Sequence, residues 1–302
     1  MKRMERHPKV NIIVSTYNGS KYIREQLKSL FDQSYPNIDI YVRDDGSDDG
    51  TLDILKEYEA SGTVTLIRGE NLGFCGSFME LLRLTDKGDF WSFCDQDDIW
   101  YPDKVALAVK WLERQKQEEP LLYYSLSEMA GEKGESLGIQ EPPKNSLSFY
   151  RAMTGTFGVG FSMVINKRLR EEMLKCDPKK VHSHDWLAGA VALGFGRVHV
   201  NRKVCAMYRR LDSSVTRITF AKKMAWGMAV LTDKGDVKER NMEYYRVYKD
   251  KLSPKRARIA SLFGEEGYSF KNSLIKVFYP RRWRPGIVSE IVMRGLMLIG
   301  KV

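Results

Sequence analysis

The stretch DFWSFCDQDD, residues 89–98, is an apolar run that ends in three aspartates within four positions. An aromatic-rich run of about six residues is typical of a central parallel strand. Ligands of open α/β sheets bind just beyond the carboxyl ends of such strands. We therefore predict a buried strand that delivers Asp95 and Asp97 to a binding site at the edge of a sheet.

The two aspartates also indicate a metal. Clustered carboxylates repel one another unless a cation lies between them, and oxygen ligands suit a hard divalent cation. We interpret Asp95 and Asp97 as ligands for Mg²⁺ or Mn²⁺ bound together with a diphosphate. A solvated acidic turn that follows a strand is the alternative, which this short motif leaves open.

The positive charge of the chain is concentrated in its C-terminal third. Residues 201–302 contain 23 Lys and Arg against 9 Asp and Glu, whereas residues 1–200 contain 26 against 30. This asymmetry favours an anionic surface, membrane or nucleic acid, as a partner of the C-terminal part. We find no signal peptide or membrane-spanning run, so we expect a cytosolic chain whose four scattered cysteines are buried thiols.

Strand, loop and helix alternate from the first strand onward. Apolar runs at residues 10–15, 38–43 and 63–67 precede the run in residues 89–98, and helical spacing follows each loop. Such alternation predicts an α/β fold with a mostly parallel, doubly wound sheet. The acidic loops 44–49 and 95–98 would then face one crevice.

The second half of the chain is expected to complete this sheet. We predict strands over residues 121–126, 161–165, 198–200 and 204–208, helices over 166–174 and 187–193, and an exposed loop over 131–145. The pattern becomes long, basic and helical from about residue 217. We therefore divide the chain into a domain of residues 1–216 and a basic, mainly helical region of residues 217–302.

Three further motifs each have a structural and a functional interpretation. The loop DDGSDDG, residues 44–50, begins like a calcium loop, but Lys56 stands where a bidentate glutamate belongs, which excludes calcium. Asp45 in this loop either serves the turn or accepts the imide N–H of uracil or thymine. The glycine-rich residues 155–160 either line a sugar pocket or form a plain turn. Asp185 is either a helix N-cap or a general base.

Two histidines near Asp185 are weak candidates for a metal site. His182 and His184 flank one serine at a spacing that suits a transition metal, but no further histidine or cysteine is close in the sequence. Because structural zinc requires about four such ligands, we do not assign a metal to this pair.

Five motifs occur in order at compatible spacing: STYNG at 15–19, DDGSDDGT at 44–51, NLGF at 71–74, DQDD at 95–98 and HDW at 184–186. Together they resemble the motifs of family-two inverting glycosyltransferases with the GT-A fold. Within that family the chain looks most like bacterial rhamnosyltransferases of cell-wall and surface polysaccharide synthesis. The resemblance covers about residues 8–216.

The resemblance implies a role for each matching position. The residues that would bind a nucleotide sugar are Thr16, Tyr17, Asn18, Asp45, Asn71, Asp95, Gln96 and Arg209. Among them Asp45 would hold the base and Asp95 the ribose, while Asp97, with Asp95, would bind the metal on the diphosphate. Asp185 would be the catalytic base.

The resemblance also implies the reaction partners. The expected donor is a nucleoside-diphosphate sugar, dTDP-L-rhamnose, and the expected acceptor is a lipid-linked saccharide. One departure concerns the phosphates: many relatives have Tyr-Arg-x-His after the last core strand, whereas this chain has Leu211 in place of the histidine. Arg209 or Arg210 is expected to neutralise the phosphates instead.

Two other classes of function stay open at this point. A phosphatase or phosphotransferase would use Asp95 as nucleophile, but such enzymes carry a hydroxyl where this chain has Ile99. A basic binding module without catalysis is supported only by residues 201–302 and opposed by the acidic crevice. We do not expect a nucleic-acid partner.

The end of the chain predicts contact with a membrane surface. Residues 278–284, FYPRRWR, mix aromatics and cations as in a lipid headgroup layer, and residues 286–300 supply an apolar surface. That segment is about 22 Å long as a helix, too short for a hydrocarbon core of about 30 Å. We predict a peripheral position on the inner face of the cell membrane. Packing on the protein's own core, or in a homodimer, is the alternative.

Overall fold

The protein is described by a computed structural model, which covers residues 7–131, 135–142, 147–209, 236–264 and 266–302. Within these residues nine strands form one sheet in the order β3-β2-β1-β4-β8-β6-β9-β5, and β7 pairs with β6. The strands are β1 (Val10–Thr16), β2 (Ile38–Asp44), β3 (Thr65–Arg68), β4 (Phe90–Asp95), β5 (Ile99–Trp100), β6 (Leu121–Ala130), β7 (Ser136–Gln140), β8 (Met163–Asn166) and β9 (Arg197–Arg209).

Strands β3, β2, β1 and β4 are parallel to one another. In their register Thr16 lies opposite Asp44, and Ser15 lies opposite Asp95. The loops that follow β1, β2 and β4 therefore meet at one edge of the sheet. The predicted α/β fold is confirmed.

The other half of the sheet is mixed. β8 runs antiparallel to both β4 and β6, β5 runs antiparallel to β9, and β6 and β9 are parallel. Because β8 is antiparallel to β4, its first residue lies toward the edge at which β4 ends. The loop of residues 155–160, which precedes β8, is thereby brought toward the acidic loop that follows β4.

Helices cover both faces of this sheet. They are α1 (Ile23–Phe31), α2 (Thr51–Ala60), α3 (Gly73–Leu84), α4 (Lys104–Leu112), α5 (Phe149–Ala152), α6 (Lys167–Met173), α7 (Pro178–Val181), α8 (His184–Phe195), α9 (Asp236–Tyr248), α10 (Pro254–Gly264), α11 (Phe270–Val277) and α12 (Ile287–Leu298). Apolar residues of α1, α2 and α4 form one buried cluster with the sheet, and those of α3, α6 and α8 form a second. This two-sided burial is the doubly wound arrangement.

Two sequence expectations about the second half are corrected. Five of the residues expected as loop in 131–145 form β7, which alternates the exposed side chains of Leu137 and Ile139 with small and polar ones and pairs with the end of β6. The two strands expected at 198–200 and 204–208 are one strand, β9. The exposed Arg202 and Lys203 lie at a register shift against β6, so a bulge replaces the expected break.

The C-terminal helices pack against the body of the protein. Val237, Tyr244, Phe263 and Met293 belong to the same buried cluster as α3 and α8. Trp283, expected in a lipid headgroup layer, is buried: its ring stacks on Tyr279 at 4.4 Å, and its indole N–H donates to a backbone oxygen. The membrane prediction is wrong for Trp283, because this ring serves internal packing.

Several other expectations have simpler outcomes. All four cysteines are buried free thiols, as predicted. The predicted domain boundary after residue 216, and the positions Arg210 and Leu211, lie outside the described residues. Among the helices that the structure describes, no helix is long and apolar enough to cross a membrane.

Candidate active site

Three acidic side chains follow strand β4 and crowd one another. Burial raises the pKa of Asp95 to about 7, and the negative charges of Asp97 and Asp185 contribute to that rise. Burial also raises the pKa of Asp97, and it raises that of the fully buried Asp98 well above its usual range. Burial and mutual repulsion of carboxyl groups are relieved when a cation lies between them. The loop therefore has the electrostatics of a cation site.

Arg209 contributes a positive charge beside these acids. Because β5 pairs with β9, the end of β9 lies beside the acidic loop, and the Arg209 backbone N–H donates to the Asp98 carboxylate at 3.3 Å. Its guanidinium donates to the Asp97 backbone oxygen at 3.2 Å and to Glu25 at 2.7 Å, and it lies over the Tyr22 ring. The predicted phosphate-neutralising residue thus stands at the acidic loop.

Asp185 lies in the first turn of α8. Its Oδ1 atom accepts from the Trp186 backbone N–H at 2.6 Å and from the Ser183 hydroxyl, and the same hydroxyl accepts from Trp186 as the helix N-cap. Its charge is close enough to raise the pKa of Asp95. The structure therefore places Asp185 within electrostatic reach of Asp95, although the two residues are far apart in sequence. Both interpretations of Asp185, helix terminus and crevice acid, fit its position.

The loops after β1 and β4 are joined by Gln96. Its side-chain oxygen accepts from the Thr16 hydroxyl at 2.6 Å and from the Tyr17 N–H at 2.9 Å, and its amide group donates to the Tyr17 oxygen at 3.1 Å. Gln96 and Thr16 are thus engaged with each other. The ring of Tyr17 remains open to a ligand, since 47% of the surface of this residue is exposed.

Asn18 connects the first loop to the loop of residues 44–50. It adopts a left-handed backbone conformation, and its side chain accepts from the Asp48 N–H at 3.0 Å. Partial desolvation acts to raise the pKa of Asp49, but hydrogen bonds from Thr51 and Ser20 outweigh it and lower that pKa to about 2. Asn18 and Asp49 therefore set the shape of the two loops.

Asp45 is buried against an arginine. It forms an ion pair with Arg43, which is itself buried, and its Oδ2 atom accepts from the Leu72 N–H at 3.1 Å. Asn71, beside Leu72, accepts from the N–H of Gly73, the first residue of α3, at 2.9 Å. Arg43 was not identified from the sequence. In the sequence Arg43 is visible only as a positive charge next to the last residue of a strand in which about half of the residues are apolar.

The glycine-rich loop of residues 155–160 packs tightly. A Cβ atom at Gly158 would collide with the Tyr124 ring, and one at Gly160 would collide with the His184 ring. Glycine is therefore needed for close packing here. The loop lies between α8 and the sheet, beside the helix turn that carries Asp185.

The two histidines near Asp185 have separate surroundings. His184 lies 4.2 Å from the Phe78 ring and 4.8 Å from the Phe93 ring, and burial lowers its pKa to about 4. His182 instead bonds Glu239 at 2.7 Å. They do not share a metal site.

The donor set at the acidic loop fits Mg²⁺ or Mn²⁺ bound with a phosphate ligand. Within the part of the chain that the structure describes, no group of three or more His, Cys, Asp or Glu side chains surrounds a common point. Magnesium sites of nucleotide enzymes usually use one or two carboxylates and take their other oxygens from phosphates and water. Asp95 and Asp97, whose pKa values are raised, match a site to which the protein contributes only two carboxylates.

A sequence comparison decides the family. The family model described as glycosyl transferase family 2 matches residues 11–172, which include β1, β2, β4 and the acidic loops. The chain belongs to this family. As a family-two glycosyltransferase it is no longer a candidate Asp-x-Asp phosphatase, and the acidic loop is the part of the catalytic domain at which a sugar nucleotide is expected.

Several curated relatives are glycosyltransferases of bacteria. The chain is 28% identical to an uncharacterized glycosyltransferase, RT0329, of Rickettsia typhi, over 72% of this chain and 68% of that protein. It is 39% identical to the dTDP-rhamnosyl transferase RfbG of Shigella flexneri, over 32% and 35%. It is 27% identical to the putative teichuronic acid biosynthesis glycosyltransferase TuaG of Bacillus subtilis, over 72% and 86%. The matched stretch spans only 22% to 43% of three other rickettsial relatives.

Solved structures share the fold of this family-two glycosyltransferase. TarS of S. aureus, in complex with UDP-GlcNAc, is similar with a TM-score of 0.56 and 16% identity, over 97% of this chain and 89% of that one. The mannosyltransferase PcManGT of Pyrobaculum calidifontis, in complex with GDP-Man and Mn²⁺, is similar with a TM-score of 0.51 and 18% identity, over 98% and 86%. At these identities the likeness establishes the fold.

Proposed function

We propose that this family-two glycosyltransferase moves a sugar from a nucleoside diphosphate to an acceptor hydroxyl with inversion, using the crevice formed by Asp95, Asp97, Asp185 and Arg209. The observation that carries the proposal is the convergence of these groups from three separate parts of the chain. Carboxyl groups with raised pKa values at a strand end, close to a further carboxylate at a helix N-terminus, are typical of functional sites.

The nucleotide end of the donor is assigned to the loops after β1 and β2. The Asp45 carboxylate, which is ion-paired with Arg43, can accept the imide N–H of uracil or thymine. The exposed Tyr17 offers a ring on which a base can stack. Asn18, Asn71 and Gln96 hold the loops in position, and Asp95 binds the ribose.

A divalent cation completes the diphosphate end. Asp97, with Asp95, would hold Mg²⁺ or Mn²⁺, which when bound would offset the charge that develops on the departing diphosphate. The Arg209 guanidinium lies on the same side of the acidic loop, where it adds a fixed positive charge. Its bonds to Glu25 and to the Asp97 backbone hold it in place before a ligand arrives.

Asp185 is proposed as the general base. One of its oxygens, Oδ1, is held by Trp186 and Ser183, and within the described residues no side chain or backbone N–H donates to the other. That oxygen can accept the proton of the acceptor hydroxyl as the hydroxyl attacks the anomeric carbon.

The identities of donor and acceptor are the finer part of the proposal. The dTDP-rhamnosyl transferase RfbG supports dTDP-L-rhamnose as donor, and TuaG, named for teichuronic acid biosynthesis, supports a role in surface polysaccharide synthesis. We propose a lipid-linked saccharide as acceptor. We also propose that the enzyme works from the cytoplasm as a peripheral protein on the inner face of the cell membrane.

A thermal-shift screen tests the donor proposal. Because a ligand that binds only the folded state raises its stability, the melting temperature is read with dTDP-, UDP- and GDP-sugars, each with Mn²⁺ and with EDTA. We expect the largest rise with dTDP-L-rhamnose and Mn²⁺. A larger rise with another sugar nucleotide would replace the donor, and no rise with any of them would contradict the proposed function.

A further inference from the structure

The C-terminal end of the structure carries an exposed apolar face. Helix α12 is apolar on two sides. One side, with Met293, Leu296 and Met297, is buried against the protein. The opposite side is exposed by 44% to 76% and consists of Ile287, Val288, Ile291, Val292, Leu298 and, just after the helix, Ile299. Exposed apolar surface of this extent on one helix marks an interaction site.

The surroundings of this face are basic. Residues 268–302 contain seven Lys and Arg against one Glu. The single acid, Glu290, is buried and paired with Arg294, so its charge is neutralised inside the fold. Arg294 also donates to the backbone oxygens of Tyr279 and Arg281. These bonds place the exposed Arg281 and Arg282, next to each other in sequence, beside α12.

The position of the face is fixed relative to the active site. The Thr154 hydroxyl donates to the Trp283 backbone oxygen at 3.0 Å, and the Arg151 side chain donates to the Arg282 backbone oxygen at 3.1 Å. A Cβ atom at Gly155 would collide with the Arg284 side chain. The segment that leads into α12 is therefore packed on the start of the loop of residues 155–160, which reaches the helix turn of Asp185.

We infer that the exposed face of α12, with Arg281, Arg282 and the 76% exposed Phe278, docks the enzyme on an anionic lipid bilayer. Apolar side chains would enter the acyl boundary while the arginines contact lipid phosphates. Twelve residues make a helix of about 18 Å, so α12 lies in the plane of the membrane and does not cross it. This surface gives the proposed peripheral position a structural basis and brings the acceptor side of the site near the bilayer.

A second copy of the chain is the competing occupant, and charge argues against it. In a two-fold dimer the same patch lies on both sides of the interface, so Arg281 and Arg282 of both copies would enter it, while Glu290, the one acid of residues 268–302, is already paired with Arg294. Like charges at an interface oppose association, whereas an anionic membrane attracts the same residues.

The test is flotation of the full-length protein with phosphatidylcholine vesicles, with and without phosphatidylglycerol. We expect flotation that depends on phosphatidylglycerol. The double substitution Val288→Glu with Ile291→Glu should weaken it about tenfold or more, because two apolar anchors become acids. Arg281→Gln with Arg282→Gln should weaken it about 25-fold, at about fivefold for each cation near an anionic surface.

The matched control is Leu137→Glu with Ile139→Glu on β7, a pair that is also 52% and 55% exposed but lies elsewhere. It should float like the wild type. Failure of the wild type to bind anionic vesicles, or equal flotation by the α12 variant, would overturn the inference. Loss of a concentration-dependent dimer in the α12 variant, with unchanged flotation, would instead assign the face to a second copy. Stabilisation by the donor, retained in every variant, keeps this test separate from that of the proposed function.

Discussion

Replacing Asp185 with asparagine removes a base and little else. The side-chain oxygen of the new amide can still accept from Trp186 N–H and Ser183, so the start of α8 keeps the bonds that Oδ1 makes now. The other oxygen becomes an NH₂ group, which cannot take a proton. Loss of a general base costs about 10²–10⁴ in rate, or about 3–5 kcal/mol of transition-state stabilisation.

The same substitution should leave donor binding intact or improve it. The charge of Asp185 raises the pKa of Asp95, so its removal makes Asp95 easier to ionise. We therefore expect a fall in kcat with an unchanged or lower KM for the donor, measured from initial rates of nucleoside-diphosphate release. Asp177→Asn, at the N-cap of α7, is the control for loss of a helix-terminal acid. An Asp185→Asn variant that turns over at the wild-type rate would refute Asp185 as the base.

The metal, the pH dependence and the C-terminal packing give three more predictions. Asp97→Ala should nearly abolish sugar transfer, because a proposed metal ligand is lost. The melting temperature should be unchanged, because the substitution removes one of several crowded acids from the loop. A large fall in melting temperature would contradict this prediction. Between about pH 4 and about pH 7 Asp95 keeps its proton in the folded protein but loses it in the unfolded chain, so its contribution to stability falls as the pH rises through that range. Because Mn²⁺ competes with this proton, Mn²⁺ should raise the melting temperature more at about pH 8 than at about pH 6. Equal shifts at the two pH values would exclude this competition. Trp283→Ala should lower the free energy of unfolding by about 3–5 kcal/mol in urea titrations, since a buried ring is lost, and a loss below about 1 kcal/mol would contradict its role in packing.

The sequence predicts the parallel half of the fold and the acidic loop well, for a physical reason. Strands β1, β2 and β4 are largely buried, so each is a compact and mainly apolar run, and polar residues begin abruptly where the strand ends. The contrast is strongest at β4, and it places Asp95 and Asp97 correctly at the sheet edge. Asp185 could be located at a helix start from sequence, but its closeness to Asp95 depends on the whole fold.

The parts that sequence reasoning missed depend on contacts over long distances. Arg43 is buried and contacts Asp45 and the backbone oxygen of Glu70, and neither contact is visible as a periodicity in the sequence. β7 is exposed and only five residues long, so its alternation of apolar and polar residues is a weak signal, and the strand forms by pairing with β6. The aromatic and basic composition of residues 278–284 suits both a lipid headgroup layer and a protein core whose arginines reach solvent. Only the packing of the side chains distinguishes these two environments.

The most direct test of the central claim is calorimetric titration of dTDP and UDP into the wild type and Asp97→Ala, in Mn²⁺ and in EDTA. We predict that the wild type binds in Mn²⁺ and that the affinity is at least about tenfold weaker, by about 1.4 kcal/mol or more, in EDTA or in the variant. Equal affinity under all four conditions would contradict a nucleoside-diphosphate site built on the carboxylates that follow strand β4.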